Sequence, residues 1–107
     1  MKILTADDER PALNILNRAI KEALPDAELR SFTYASLAVN EIRQNGYHPD
    51  VAFLDIEMPG LSGLELAAEL KINHSGVNII FVTGFSQYVM DALALRPSGY
   101  VMKPVTK

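Results

Sequence analysis

Five residues stand at the ends of apolar runs in this chain, and their chemistry is complementary. Asp7 and Asp8 follow KILTA, Asp55 follows VAFL, Thr83 closes NIIFVT and Lys103 follows GYVM. A charge next to an apolar run is expensive to bury without partners, so these residues are expected to partner one another. Three carboxylates at one edge repel: a pair about 4 Å apart costs on the order of 4 kcal/mol at an effective dielectric near 20. A hard divalent cation offsets that cost. Mg²⁺, or Mn²⁺, takes one or two carboxylates and keeps waters and phosphate oxygens in its remaining positions. Lys103 adds a fixed positive charge and Thr83 a hydroxyl donor. Carboxylate, divalent cation, lysine and threonine together suit phosphoryl transfer, where catalysis is mostly positioning and charge neutralisation. One carboxylate would be the nucleophile, giving an aspartyl-phosphate.

Such convergence needs a scaffold that brings the ends of distant segments together. KILTA (2–6), LRSFTY (29–34), VAFLD (51–55), NIIFVTG (78–84) and GYVMK (99–103) are short, rich in β-branched or aromatic residues, and end at polar or turn residues, as strands do. Between them the period is helical. Leu13, Leu16, Ile20 and Leu24 share one face; Ala35, Ala38, Val39 and Ile42 share another; Leu66, Ala67 and Leu70 give a third helix and Val89, Ala92 and Leu93 a fourth. Pro11 suits the first turn of the first helix, with Asp8 or a neighbour as cap, and Gly46 suits the end of the second. Strands and helices alternate without repeat or linker. Continuous apolar runs such as IIFV call for strands covered on both faces. The expected fold is a doubly wound, five-stranded parallel α/β sheet, whose ligand crevice lies beyond the carboxyl ends of the strands.

Composition narrows the function classes. At 107 residues the chain is expected to form one domain, 1–107, and 49% hydrophobic with 21% charged residues is a globular composition. A net charge of -3 offers no basic footprint for a phosphate backbone, so direct nucleic-acid contact by this segment is not expected. With no cysteine there is no disulfide or thiolate metal site. MKIL is too short for a signal peptide and no apolar run reaches membrane-span length, so the simplest address is the cytoplasm, with no membrane partner.

Four motifs in order, DDE (7–9), DIEMPGLSG (55–63), TG (83–84) and YVMKP (100–104), resemble those of response-regulator receiver domains over essentially the whole chain. The resemblance implies a flavodoxin-like sheet of order 2-1-3-4-5. It implies that Asp55 accepts a phosphoryl group from a sensor histidine kinase, and that Asp7, Asp8, Asp55 and the backbone carbonyl of Glu57 hold Mg²⁺, with Asp8 the more direct ligand. It further implies that Thr83 and Lys103 contact the phosphoryl group, and that Thr83 and Tyr100 form the switch that alters the surface around the fourth helix and fifth strand. The output is then an attached domain or a separate protein. The stretch FVTGFSQYVMDALALRPSGYVMKP is similar to receivers of LytTR-type transcription regulators, which makes transcription the expected output. Pro104 is a candidate for the cis peptide bond common in this family.

Each residue also has an ordinary use. Asp55 could be a turn former, Asp7 and Asp8 helix caps, Thr83 a strand residue and Lys103 a solvated edge charge. Met58 and Pro59 read as loop packing, Gly60 and Gly63 as backbone necessities where the loop enters a helix. His48 and His74, beside proline and in a loop, are not spaced as metal ligands and receive no role. Glu57 and Phe85 flank the path of water to a phosphorylated Asp55, and Phe85 is expected to lengthen the lifetime of that state. Receivers usually carry a fifth helix after the last strand; with the sequence ending four residues beyond Lys103, the domain is expected to be truncated there. Apolar surface beside the first helix would then favour a homodimer. A phosphorylation-independent interaction module and a true aspartyl-phosphate phosphatase are the competing classes. The former has no need of all of Asp8, Asp55, Thr83 and Lys103, and the latter would add a substrate pocket.

Overall fold

The computed structural model describes residues 1–84 and 97–103. Its elements run β1 (Lys2–Ala6), α1 (Arg10–Ala23), β2 (Glu28–Phe32), α2 (Ala35–Asn45), β3 (Val51–Leu54), α3 (Gly63–Asn73), β4 (Asn78–Thr83) and β5 (Gly99–Met102). The strands pair in parallel in the order β2-β1-β3-β4-β5, as the family resemblance implies. The expected fourth helix with Val89, Ala92 and Leu93, the Phe85 side chain and the Pro104 peptide lie outside the described residues.

Alternate residues of the central strands feed two apolar layers. Leu4, Ala6, Ala52, Leu54, Ile79 and Phe81 pack with α2 and α3, through Ala38, Val39, Ile42, Leu66, Ala67 and Leu70. Ile3 and Val82 face the other way, onto Leu16 and Ile20 of α1. Burial on both faces is what a parallel sheet between helices demands. The chain steps outward from β1 to β2 and then back across to β3, so the strand order reverses at β1 and β3. That reversal opens a crevice at their carboxyl ends.

Boundaries differ from expectation where local chemistry intervenes. Leu24 does not belong to the helical face: α1 ends at Ala23 and Leu24 is its exposed C-cap. Pro25 follows and disfavours a helical conformation for the residue before it. β2 stops at Phe32, because Thr33 and Tyr34 form the entry to α2, whose N-cap is Tyr34. Gly46 closes α2 in the left-handed conformation, φ 64°, as its position predicts. Pro11 sits in the first turn of α1, but the N-cap is Glu9, whose side chain makes no capping bond.

The turn from β3 into α3 is the tightest part of the framework. Gly60 has φ 74°, a region closed to most side chains. Ser62 and Glu65 form a reciprocal capping box at the start of α3. Gly63 opens the helix, and its amide donates to the Ile56 carbonyl at 2.9 Å. A Cβ added at Gly63 would meet the Asp55 carbonyl oxygen at 1.9 Å, so the helix rests directly on the backbone just beyond the end of β3.

Two substitutions separate propensity from fit. By helix propensity alone, Gly63→Ala gains roughly 1 kcal/mol; overpacking against Asp55 is expected to reverse the sign and cost about 1–3 kcal/mol. Ser62→Ala, which only removes the cap, should cost about 1 kcal/mol. Urea unfolding of the two variants decides the point, and a Gly63→Ala variant more stable than the parent would show that the turn yields freely.

Candidate functional site

Three charged residues of the crevice, Asp7, Asp55 and Lys103, are hung on the sheet by a backbone bond just beyond the regular ladder. The Asp7 amide donates to the Phe32 carbonyl at 3.1 Å, the Asp55 amide to Ala6 at 2.9 Å and the Lys103 amide to Thr83 at 2.9 Å. Strand pairing therefore places the three side chains, which lie 48 residues apart in pairs such as Asp55 and Lys103, within contact. Lys103 Nζ lies 2.7 Å from Asp7 Oδ2 and 3.2 Å from Asp55 Oδ2. Asp7 and Asp55 are buried and Asp8 is exposed.

The two buried acids are held differently. Asp7 Oδ1 accepts the Glu9 amide at 2.9 Å and Oδ2 faces Lys103, so both of its oxygens are engaged. The expectation of a side-chain cap for α1 is thus corrected: Asp7 braces the residue that begins the helix. For Asp55, burial first and the charge of Asp7 second push the carboxyl up to about 6, against the pull of Lys103 and of a hydrogen bond from the Glu57 backbone. Lys103 is also shifted up, by the opposite balance of causes. Burial draws its ammonium down, but Asp7 and Asp55 outweigh that and hold it above the usual lysine range.

Carboxylate oxygens of Asp7, Asp8 and Asp55 all lie within 4.8 Å of one another. This set of hard oxygen donors, at a crevice open to solvent on the Asp8 side, fits Mg²⁺ or Mn²⁺ and is a poor match for a softer metal. A cleft of about 570 Å³ opens over it, lined by Asp8, Glu9, Asp55, Glu57, Met58, Pro59, Gly84 and Lys103. A second groove of about 510 Å³ lies between α2 and α3. Of its charged residues, Arg43 and Glu69 pair with each other at 2.6 Å and Glu65 is engaged in the α3 capping box, which leaves it no convergent reactive set among the described residues.

Thr83 is fully buried at the end of β4, paired in register with Met102. Tyr100 is half-buried against the core, its ring 6.3 Å from that of Phe81 and tilted by 53°. Glu57 reaches the cleft, and Met58, read as loop packing, is buried while also lining it. Glu9 was not among the expected site residues, yet its Oε1 lies 3.9 Å from Lys103 Nζ. Its signal was the third acid of DDE, one residue past the pair at the strand end. His48 and His74 are exposed, as expected of surface residues, though the fold brings their ring centroids to 6.2 Å.

Comparison with known proteins agrees with this geometry. The profile of the response regulator receiver domain matches residues 3–107. The transcriptional regulatory protein NatR of Bacillus subtilis is 36% identical over 104 residues, covering 97% of this chain and 44% of NatR. The transcriptional regulatory protein BtsR of Salmonella typhi is 35% identical over 108 residues, covering 98% of this chain and 43% of BtsR. The chain thus spans less than half the length of these relatives. Among solved structures, the response regulator protein TrrA of Thermotoga maritima, in complex with Mg²⁺-BeF, superposes with a TM-score of 0.76 at 31% identity, covering 98% of this chain and 88% of TrrA. With the sheet order, the strand-end acids and the lysine all in place, the chain belongs to the response regulator receiver domain family, a family of regulatory modules.

Proposed function

We propose that this domain is a phosphorylation-dependent switch that takes a phosphoryl group on Asp55 from the phosphohistidine of a sensor histidine kinase. The observation that carries this reading is the convergence of Asp7, Asp8 and Asp55 around Lys103 at the carboxyl edge of β1, β3 and β5. In the transfer, an Asp55 carboxylate oxygen attacks phosphorus as the phosphorus–nitrogen bond to histidine breaks, and the electron pair returns to the imidazole. With a carboxyl group near 6, Asp55 is mostly ionised above neutrality and is available as the nucleophile. Asp8 and Asp55, with Asp7 and the Glu57 carbonyl, would hold Mg²⁺, which supplies positive charge to the transferring oxygens when bound.

Lys103 is already desolvated beside Asp55, so its ammonium meets the new phosphoryl oxygens without large reorganisation. Thr83, at the adjoining strand end, offers a hydroxyl. Its movement toward the phosphoryl group would free space for Tyr100 to turn inward, altering the surface around β5 and the segment before it. The output would be transcription, through a domain or protein outside this chain, in line with the transcriptional regulatory relatives. The proposed address is the cytoplasm. No helix among the described residues is long and apolar enough to cross a membrane. A homodimer is the proposed assembly. An apolar groove of about 210 Å³ between α1 and the sheet, lined by Leu16, Ile20, Phe53, Val82 and Val101, offers the contact.

Three measurements check this. Incubation with acetyl phosphate and Mg²⁺ should add a phosphoryl mass that is absent in Asp55→Asn; an unmodified parent domain would favour a phosphorylation-independent module. Sedimentation should show a dimer that Val101→Glu returns to monomer, and a monomeric parent excludes that assembly. The third concerns pH. Because the folded domain holds Asp55 above its ordinary value of 3.8, its contribution to stability is full below pH 4 and is lost as pH rises through about 6. At pH 7.5 in EDTA, Asp55→Asn should therefore melt a few degrees above the parent, with the gap closing as pH falls below 6 or when Mg²⁺ is restored. A variant less stable than the parent at pH 7.5 in EDTA contradicts the electrostatic account.

A further inference from the structure

Glu9 touches the site twice. Its amide holds Asp7 Oδ1 at 2.9 Å, and its carboxylate stands 3.9 Å from Lys103 Nζ. The side chains of Asp7 and Asp55 are 4% and 6% exposed, whereas that of Glu9 is 71% exposed, with Lys103 at 19% between them. Lys103 therefore has two fixed, buried anions on its inner side and one movable anion on its solvent side. Glu9 also lines the cleft with Asp8, Asp55 and Glu57, where Lys103 is the one cation among the described lining residues. A phosphoryl donor entering this cleft is itself anionic, so every acid at the rim opposes its approach, while the same acids favour a divalent cation.

We propose that Glu9 is a positioning residue that shares the Lys103 ammonium with Asp7 and Asp55, strengthening divalent-cation binding and slowing entry of anionic phosphoryl donors. The proposal rests on the phosphoryl-transfer reading of the site. Once Asp55 is phosphorylated, Lys103 is needed by three more anionic oxygens. Of its three acidic neighbours, Glu9 alone can swing into water at little cost. The backbone role of Glu9, holding Asp7 and beginning α1, survives any substitution of its side chain except proline.

The test compares the chain with Glu9→Gln and Glu9→Asp. Mg²⁺ affinity is read by calorimetric titration, and phosphorylation by acetyl phosphate at saturating Mg²⁺ is followed by intact mass. At low ionic strength Glu9→Gln is expected to weaken Mg²⁺ binding roughly two- to fivefold and to speed phosphorylation by a similar factor. Both differences should shrink in about 0.5 M salt, as a purely structural effect would not. Glu9→Asp, which keeps the charge, should stay near the parent in both assays. Equal Mg²⁺ affinity for the parent and Glu9→Gln at low salt overturns the proposal, as does Glu9→Asp behaving like Glu9→Gln. A parent that binds Mg²⁺ but takes no phosphoryl group defeats the phosphoryl-transfer reading, and the Mg²⁺ comparison then decides the role of Glu9 alone.

Discussion

The contact on which the site depends is the ammonium of Lys103 lodged between Asp7 and Asp55, 2.7 and 3.2 Å away. Two buried carboxylates beside each other are untenable alone, and burial with the Asp7 charge holds the Asp55 carboxyl near 6 even with Lys103 present. The lysine lowers the repulsion without cancelling it. A residual excess of negative charge is what makes a divalent cation welcome at this edge, and the same excess keeps the site responsive to a change of charge at Asp55.

Side chains cannot impose that arrangement unless the backbone does so first. The amides of Asp7, Asp55 and Lys103 each continue the ladder by one bond, to Phe32, Ala6 and Thr83. β1 and β3 are neighbours because the chain reverses its direction of travel across the sheet between them, so the acids after those strands emerge side by side. On the far side of Asp55, Gly63 lets α3 approach the Asp55 carbonyl closer than any Cβ would permit. Asp55, the proposed nucleophile, is consequently fixed from two sides: by strand pairing through its amide and by helix packing against its carbonyl. Precise placement of few groups, on rigid elements, is what phosphoryl transfer asks of a protein.

Local pattern made much of this legible. The strand ends carried Asp7, Asp55, Thr83 and Lys103, and the helical period of Leu13, Leu16 and Ile20, and of Ala35, Ala38, Val39 and Ile42, named side chains that are buried. The order of strands was not in the local pattern, since parallel strands joined by helices can be laid down in several sequences; only the resemblance of the motifs supplied it. Leu24 fitted the period but followed the last helical turn, because periodicity does not register the restraint that Pro25 places on its predecessor. Asp8 and its neighbours were expected to cap α1 through a side chain. Capping chemistry instead went to Asp7 and the Glu9 amide, a bond between residues two apart that is a feature of turn geometry. For Glu9 the local pattern shows only the third acid of DDE; its place next to Lys103 follows from strand pairing 94 residues downstream in the chain.

The division of labour between Asp7 and Asp8 follows from the same geometry. Adjacent residues at the end of a strand point to different surroundings, and here one is buried while the other is exposed. Asp7 has both oxygens engaged, by the Glu9 amide and by Lys103, so taking a cation directly would require it to give up one of those bonds. Asp8 faces the solvated cleft, and among the described residues its carboxylate has no such bond to surrender. The proposed direct metal role thus falls to Asp8, and that of Asp7 to holding the lysine and the start of α1 in place. A pair of identical residues is offered two different uses because the sheet edge buries the first and releases the second.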